Sequence, residues 1–110
     1  MSDCVFCKII SGEIPSKKIF EDDEFICFHD IHPAASTHVL LVPKQHLGSL
    51  NELTDLNLAG KLLIRVPKIA KTLGVGDAYR TIINTGAGAG QSVNHMHIHI
   101  LAGKFFGLPQ

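Results

Sequence analysis

The sequence predicts an α+β domain in which an antiparallel sheet packs against one long helix. Two observations carry this prediction: five short apolar runs bounded by turn residues, and one longer segment with apolar residues at helical spacing. The runs lie on both sides of the helical segment and are joined mainly by short links, which favours antiparallel pairing. With 110 residues and neither a linker nor an internal repeat, the chain is expected to form a single domain over residues 1–110.

The N-terminal part of the chain predicts a short helix followed by three strands. Ser2 or Asp3 is a suitable N-cap for a helix over residues 3–12, and Gly12 is a suitable stop. Pro15 then ends any helical continuation. The apolar-rich runs that follow predict strands over residues 18–22, 24–30 and 37–43.

Residues 54–74 predict the long helix of the domain, with Thr54 as its N-cap. One apolar stripe recurs at helical spacing and is expected to face the core: Leu56, Ala59, Leu63, Val66, Ala70 and Leu73. Pro67 lies inside this pattern and lacks a backbone donor, so the helix is expected to kink or divide there.

The C-terminal part predicts a fourth strand over residues 79–84 and a fifth over residues 94–101. The fifth run carries three histidines at alternate positions: His95, His97 and His99. Successive strand side chains point to opposite faces, so the imidazoles share one polar face and the apolar residues between them share the other. Three histidines at this spacing are hard to explain by packing. Because imidazole is both a common metal ligand and an acid–base group near neutral pH, this face is expected to carry chemistry.

A Cys-x-x-Cys pair, Cys4 and Cys7, has a spacing that suits tetrahedral zinc. No second pair of this kind exists in the sequence, so histidines would have to complete the site, with His46 and, most simply, His95 as candidates. Buried free thiols explain the pair about equally well. Cys27 lies inside an apolar run and is expected in the core.

The loop over residues 85–92 has glycines at alternate positions and leads into the histidines. Glycine allows backbone amides to approach an anion closely, although a glycine-rich hairpin connection explains the composition about equally well. The position of Ser92 favours a phosphate site, because the loop delivers this serine and the three imidazoles within eight residues. Asp30 and Asn84 each end a strand, where they can bind a ligand or cap a turn.

Composition argues against several classes of function. Ten basic and ten acidic residues balance, and no basic stripe suggests binding to a nucleic acid. No apolar run approaches the ~20 residues that span a bilayer, and no secretory signal is recognised, so no membrane association is expected. Three cysteines argue against a disulfide framework and favour a cytoplasmic location.

Together these residues resemble the histidine triad superfamily, whose signature alternates histidines with hydrophobic residues, as residues 95–101 do. The resemblance covers about residues 4 to 103. Further segments resemble its Hint-like, zinc-binding branch in order and spacing: residues 8–15, 20–23, 28–31, 37–44, 79–80 and 90–93. Two features depart from that pattern, namely Ala89 in place of a glycine and a tail after Gly103 that lacks tryptophan.

The resemblance implies a HIT-like fold: a five-stranded antiparallel sheet with one long and one short N-terminal helix, extended across a homodimer. It also implies a pocket for a purine nucleotide such as AMP or GMP, or an amine adduct of one, with Asp30 on the ribose. Base and sugar would be enclosed by Val5, Phe6, Ile9, Phe28, Ile31 and Leu40. The α-phosphate would lie near Asn84, Gly90, Gln91, Ser92, His97 and His99. A structural zinc would be held by Cys4, Cys7, His46 and His95, with no catalytic cofactor.

The implied activity is the hydrolysis of purine nucleoside phosphoramidates through a nucleotidyl-histidine intermediate that releases AMP. His97 would be the nucleophile, with one ring nitrogen attacking while a backbone carbonyl holds the other ring N–H. His99 and Ser92 would stabilise the phosphoryl oxygens, and His38 is the candidate proton relay. His95 completes the triad. Three alternatives stay open: a dinucleoside polyphosphate hydrolase, a metalloenzyme with zinc on the triad, and a non-catalytic purine nucleotide-binding module.

Overall fold

A five-stranded antiparallel sheet forms the centre of the molecule in the computed structural model, which describes residues 3–110. The strands are β1 (Lys18–Glu21), β2 (Phe25–His29), β3 (Ala35–Pro43), β4 (Arg80–Ile82) and β5 (Ile98–Phe105), and their order in the sheet is β1-β2-β3-β5-β4. The helices are α1 (Val5–Ser11) and α2 (Leu56–Thr72), with single turns of 3-10 helix at Leu50–Glu52 and Ala87–Ala89. The predicted fold class is therefore confirmed. Within residues 3–110, the longest apolar helix falls short of what crossing a membrane requires.

The short helix α1 has a different N-cap from the one expected. Cys4 caps it, and its Sγ accepts a hydrogen bond from the Cys7 amide at 3.3 Å. Asp3 therefore lies one residue before the cap, and Ser2 is outside the described residues. The stop is as predicted, because the Gly12 amide closes the helix by donating to the carbonyl of Ile9.

The long helix α2 packs on the sheet through a different stripe from the predicted one. Its buried residues are Leu58, Leu62, Val66, Ile69 and Ala70. Leu56 and Leu63, predicted to face the core, are 86% and 65% exposed. The helix has two overlapping apolar stripes, and periodicity alone does not distinguish which one meets the sheet. Pro67 lies on the exposed side and does not divide the helix.

The histidine strand begins later than predicted, at Ile98, and continues to Phe105. Only His99 is in the strand, while His95 and His97 lie in an irregular segment that leads into it. The pairing of β5 with β3 ends at Leu41 and Ile98, and the carbonyl of Pro43, two residues further along β3, accepts a hydrogen bond from the ring of His95 at 2.7 Å. A side chain thus takes the acceptor that a strand amide would otherwise use, so the ladder does not extend to His95.

The two faces of the sheet support separate apolar layers. On one face, α2 covers a core that includes Phe25, Val39, Leu41, Ile98 and Ile100. On the other face, α1 covers a second cluster of buried residues: Phe6, Ile26, Phe28, Leu40 and Val42. The histidines lie on this second side and are not on a solvated polar face, because Phe6 of α1 packs against His95 and His97, and His97 in turn packs against His99. Their residual exposures are 0% for His95, 3% for His97 and 0% for His99.

Asp55 is the N-cap of α2, where its carboxylate accepts from the amides of Asn57 and Leu58 at 2.9 and 3.3 Å. We expect Asp55→Ala to lower the free energy of unfolding by about 1 kcal/mol, because two amides lose their acceptor. Thr54→Ala, at the position that the sequence favours, is the matched control and should cost less than about 0.5 kcal/mol. Urea denaturation measures both changes, and equal losses would contradict this assignment.

Candidate active site

A cleft of about 850 Å³ opens beside the buried histidines. It is lined by all six apolar residues that the resemblance implied: Val5, Phe6, Ile9, Phe28, Ile31 and Leu40. Polar groups come from Asp30, Ser92, His97 and His99. The remaining lining residues were not expected at the cleft from the sequence: Ile14, Pro15, Ser16, Lys17, His29, His32, Val93 and Gln110.

His97 lines this cleft with one ring nitrogen committed to the backbone. Its Nδ1 lies 2.7 Å from the carbonyl oxygen of His95, and because a carbonyl only accepts, Nδ1 must carry a proton. In the neutral ring the lone pair is therefore on Nε2. Phe6 of α1 packs edge-on against the imidazole with ring centroids 5.0 Å apart, which restricts its rotation. The contact between a ring N–H of His97 and a backbone carbonyl, expected from the sequence, is therefore present.

A chain of hydrogen bonds fixes the protonation of His38 and His99. The amide of Ala34 donates to His38 Nδ1 at 2.9 Å, so this nitrogen cannot carry a proton. The proton of His38 is then on Nε2, which donates to His99 Nδ1 at 2.9 Å. The proton of His99 is consequently on its own Nε2. Among the described residues, this is the one buried side-chain nitrogen or oxygen that has no hydrogen-bond partner.

Both rings are held in the neutral form. Burial, together with the nearby imidazoles of His97 and His38, lowers the pKa of His99 to about 3. Burial also lowers the pKa of His38, against the opposing influence of the Asp30 carboxylate. His99 thus offers the cleft a neutral N–H donor without a partner. Such a buried donor favours a ligand that brings an acceptor oxygen.

Asp30 caps a turn and also faces the cleft. Its Oδ1 caps a turn by accepting from the amide of His32 at 2.8 Å, and its Oδ2 lies 3.4 Å from His38 Nε2. The carboxylate also faces the cleft. Asp30, His38 and His99 are close enough to hold a metal ion. However, the Ala34 amide keeps the proton of His38 on Nε2, so this nitrogen has no lone pair to coordinate a metal.

Gln91 shapes the glycine loop from within. Its buried side chain accepts from the amide of Gly86 at 2.8 Å and donates to the carbonyls of Gly48 and Val93 at 2.8 and 2.9 Å. Gly86 and Gly90 have φ values of 87° and 96°, a region that glycine adopts readily. Of the residues expected near a phosphate, Ser92, His97 and His99 line the cleft, whereas Asn84, Gly90 and Gln91 are not among its lining residues.

A second cluster brings together the four residues proposed as zinc ligands. Cys4 Sγ lies 3.3 Å from His95 Nδ1, and Cys7 Sγ lies 3.6 Å from the same atom. His46 Nδ1 lies 3.4 Å from Cys7 Sγ and 3.2 Å from His95 Nδ1. The loop that carries His46 is fixed by the amide of Met96, which donates to the carbonyl of Leu47 at 2.7 Å.

These spacings match the donor set of a tetrahedral zinc site. Bond lengths of about 2.0–2.1 Å to nitrogen and about 2.3 Å to sulfur place tetrahedral ligands about 3.3 Å apart for two nitrogens and about 3.6 Å for nitrogen and sulfur. His95 donates through Nε2 to the carbonyl of Pro43, so its lone pair is on Nδ1, facing the other three ligands. The triad is therefore divided: His95 belongs to this cluster, and His97 and His99 belong to the cleft.

Comparison with known proteins agrees with this architecture. The HIT domain family matches residues 11–106. The chain belongs to the HIT family. Protein HitA of Neisseria gonorrhoeae is 50% identical over 103 residues, which cover 92% of this chain and 96% of that protein.

Solved HIT structures superpose closely on this chain. A HIT family hydrolase from Legionella pneumophila has a TM-score of 0.89 at 41% identity, covering 97% of this chain and 98% of its own. A histidine triad nucleotide-binding protein from Candida albicans has a TM-score of 0.86 at 34% identity, covering 98% of this chain and 82% of its own. The fold is thus shared with solved proteins of this family.

The neutral histidines make stability depend on pH. An unfolded histidine titrates near 6.5 and the folded His99 near 3, so between these values the unfolded chain binds a proton that the native chain does not. The free energy of unfolding should therefore fall as the pH drops from 6.5 towards 3, by up to about 1.4 kcal/mol per pH unit for His99 and further for His38.

Denaturation across this pH range measures the slope. His99→Gln should make it shallower by close to one proton, because one buried imidazole is lost. Asn51→Gln, at an exposed position and without a titratable group, is the control and should leave the slope unchanged. A slope that His99→Gln does not alter would contradict the neutral assignment.

Proposed function

We propose that this protein hydrolyses purine nucleoside phosphoramidates by transferring the nucleotidyl group to His97 and then to water, with release of AMP or GMP. One observation carries the proposal: an imidazole with its lone pair on Nε2 lies in the same cleft as the unpartnered Nε2–H of His99. A nucleophile and a donor for a phosphoryl oxygen are thus adjacent. The names of the HIT relatives, one a hydrolase and one a nucleotide-binding protein, support this class.

The apolar part of the cleft suits a purine nucleoside. Phe6 and Phe28 supply aromatic surface, and Ile9, Ile31 and Leu40 supply aliphatic surface to enclose a flat base. The Asp30 carboxylate at the same wall can accept hydrogen bonds from both hydroxyls of a ribose. This arrangement directs the α-phosphate towards His97, His99 and Ser92.

In the first step, the lone pair on His97 Nε2 forms a bond to the α-phosphorus. The bond from phosphorus to the leaving nitrogen breaks, its electron pair stays on that nitrogen, and a water molecule in the open cleft donates the proton that completes the amine. The carbonyl of His95 holds Nδ1–H and stabilises the positive charge that develops on the ring. His99 Nε2–H and the Ser92 hydroxyl stabilise the phosphoryl oxygens, each worth about 3 kcal/mol when well placed.

In the second step, water attacks the phosphorus of the nucleotidyl-histidine. The bond to Nε2 breaks, its electrons return to His97, and the nucleoside monophosphate leaves with the hydroxyl group of the water. For His38, we favour an orienting role over the proton relay that the sequence suggested. Its Nδ1 is blocked by the Ala34 amide, so it cannot store a second proton, but it fixes the donor that His99 presents.

We further propose a structural Zn²⁺ at Cys4, Cys7, His46 and His95. Four protein ligands leave no open coordination position, so the ion would stabilise the fold and take no part in the reaction. Two ligands belong to the start of α1, which also carries Phe6, the residue that packs against His97. The metal would thus hold α1 in the position that defines one wall of the cleft.

We also propose a homodimer in which the sheet continues into a second copy. The exposed side of α2 carries Leu56, Leu63 and Ile64, and β4 is an edge strand. Both features are unfavourable in an isolated chain and are relieved when a copy covers them.

His97→Ala should retain the fold but lower kcat for adenosine phosphoramidate by at least about 10³-fold, because no other group in the cleft is placed to form the covalent intermediate. His99→Ala should cost about 10²-fold, since Ser92 and water partly replace one donor. Steady-state kinetics measure both losses, and AMP binding by His97→Ala controls for an intact pocket. Activity near that of the wild type in His97→Ala would overturn the mechanism.

The same assays with diadenosine polyphosphates distinguish the leaving group. Amides of AMP should be the better substrates by kcat/KM. A preference for the polyphosphates would favour the alternative hydrolase, and AMP binding without turnover of either class would favour a binding module.

The purified protein should contain about one zinc per chain by metal analysis, and Cys4→Ser with Cys7→Ser should release it and lower the Tm. Measurable phosphoramidase activity should remain, because the ion is structural. Cys27→Ala is the matched control: this buried cysteine lies outside the cluster, so its loss should affect stability without releasing zinc. Protein purified without chelators and found free of zinc would refute the site.

Light scattering at micromolar concentration should give twice the chain mass of 11.9 kDa. Leu63→Lys should shift the population towards the monomer, because it places a charge in the apolar interface. A wild-type mass of one chain would rule out the dimer.

A further inference from the structure

We propose that residues 106–110, here termed the strap, compete with the substrate phosphate for Ser92, so that nucleotide binding requires the strap to be displaced. This inference rests on the proposed nucleotide site. It concerns a part of the chain that the reaction scheme above does not use.

The strap returns from the end of β5 to the cleft. The Phe106 amide first donates to the carbonyl of Ala34 at 2.7 Å. Further along, Asn84 Nδ2 donates to the carbonyl of the buried Pro109 at 2.9 Å. The strap therefore crosses from the loop after β2 to the loop after β4.

The last contacts of the strap lie at the proposed phosphate site. Ser92 directs both its hydroxyl, at 3.0 Å, and its backbone amide, at 3.4 Å, to the backbone oxygen of Gln110. Two donors converge on one oxygen, as they would on an oxygen of a phosphate. Gln110 also lines the same cleft as His97 and His99.

These contacts conflict with phosphate binding because Ser92 has a single hydroxyl proton. While it donates to Gln110, it cannot donate to a phosphoryl oxygen. The strap does not extend to His99, whose Nε2–H has no partner among the described residues. An incoming phosphate can therefore engage His99 first and must displace the strap to gain Ser92.

The strap is held by few contacts and can be displaced at low cost. The side chain of Leu108 is 89% exposed and does not hold the strap in place. Attachment of the strap to the rest of the chain therefore depends on the buried Pro109 and on the hydrogen bonds from Asn84 and Ser92. The apparent affinity for a nucleotide equals the affinity of the open form multiplied by the fraction of molecules in which the strap is open. Because these hydrogen bonds are partly offset by the conformational entropy lost when the strap is ordered, the expected reduction in affinity is about tenfold.

Calorimetry with AMP tests the competition. A variant that lacks residues 108–110 keeps the Phe106 contact and should bind AMP with a Kd about tenfold lower than the intact chain. Leu108→Ala is the matched control and should leave the Kd unchanged, because this side chain is exposed. An unchanged or higher Kd in the shortened variant would overturn the strap while leaving the proposed function intact. Failure of every variant and of the intact chain to bind AMP would overturn the nucleotide site and the strap with it.

Hydrogen exchange on the intact protein gives a second measurement. AMP should accelerate exchange of the Phe106 amide, the strap amide that donates to a described residue, because displacement of the strap loosens its hydrogen bond to Ala34. Slower exchange would mean that the strap closes over the nucleotide, and this result would overturn the competition.

Discussion

The hydrogen bond from the Ala34 amide to His38 determines what the cleft can offer a ligand. Because the amide can only donate, His38 must carry its proton on Nε2, and it passes this constraint to His99 at 2.9 Å. Two backbone carbonyls act in the same way on the other members of the triad, that of His95 on His97 and that of Pro43 on His95. Backbone groups thus set the tautomers of His38, His95 and His97 directly, and that of His99 through His38.

This constraint separates two kinds of chemistry within one short sequence motif. His95 presents its lone pair to two thiols and to His46, whereas His97 and His99 present a lone pair and a proton to the cleft. Phe6 links the two sides, since its ring packs against His95 at 5.9 Å and against His97 at 5.0 Å. The proposed zinc would act on the reaction through this packing alone, by fixing the helix that carries Phe6.

Much of the architecture follows from sequence pattern, because it depends on local signals. Alternating apolar runs define strands, and glycine at position 12 defines the end of α1. The errors arise where tertiary contacts decide between local choices of similar energy. Thr54 and Asp55 are both good caps, and two apolar stripes compete on α2 until the sheet selects the one that begins at Leu58.

The same distinction between local signals and tertiary contacts applies to the candidate active site. Residue types at motif positions indicated the cleft histidines and the cysteine cluster, because their chemistry is unusual enough to recognise from sequence. Pairings across the sheet left no local signal: nothing near His38 indicates that Ala34 and His99 occupy its two nitrogens. The role of Gln91 as an internal support for the glycine loop depends likewise on distant carbonyls, one of them at Gly48.

Peptide mapping by mass spectrometry after rapid quenching of a reaction with adenosine phosphoramidate tests the central claim most directly, because it identifies the residue that carries the nucleotidyl group. If His97 is the nucleophile, we expect an adenylyl group bonded to His97 that forms and disappears at rates consistent with turnover. An adenylyl group on His95 or His99, or continued turnover with no adduct on any histidine, would contradict it.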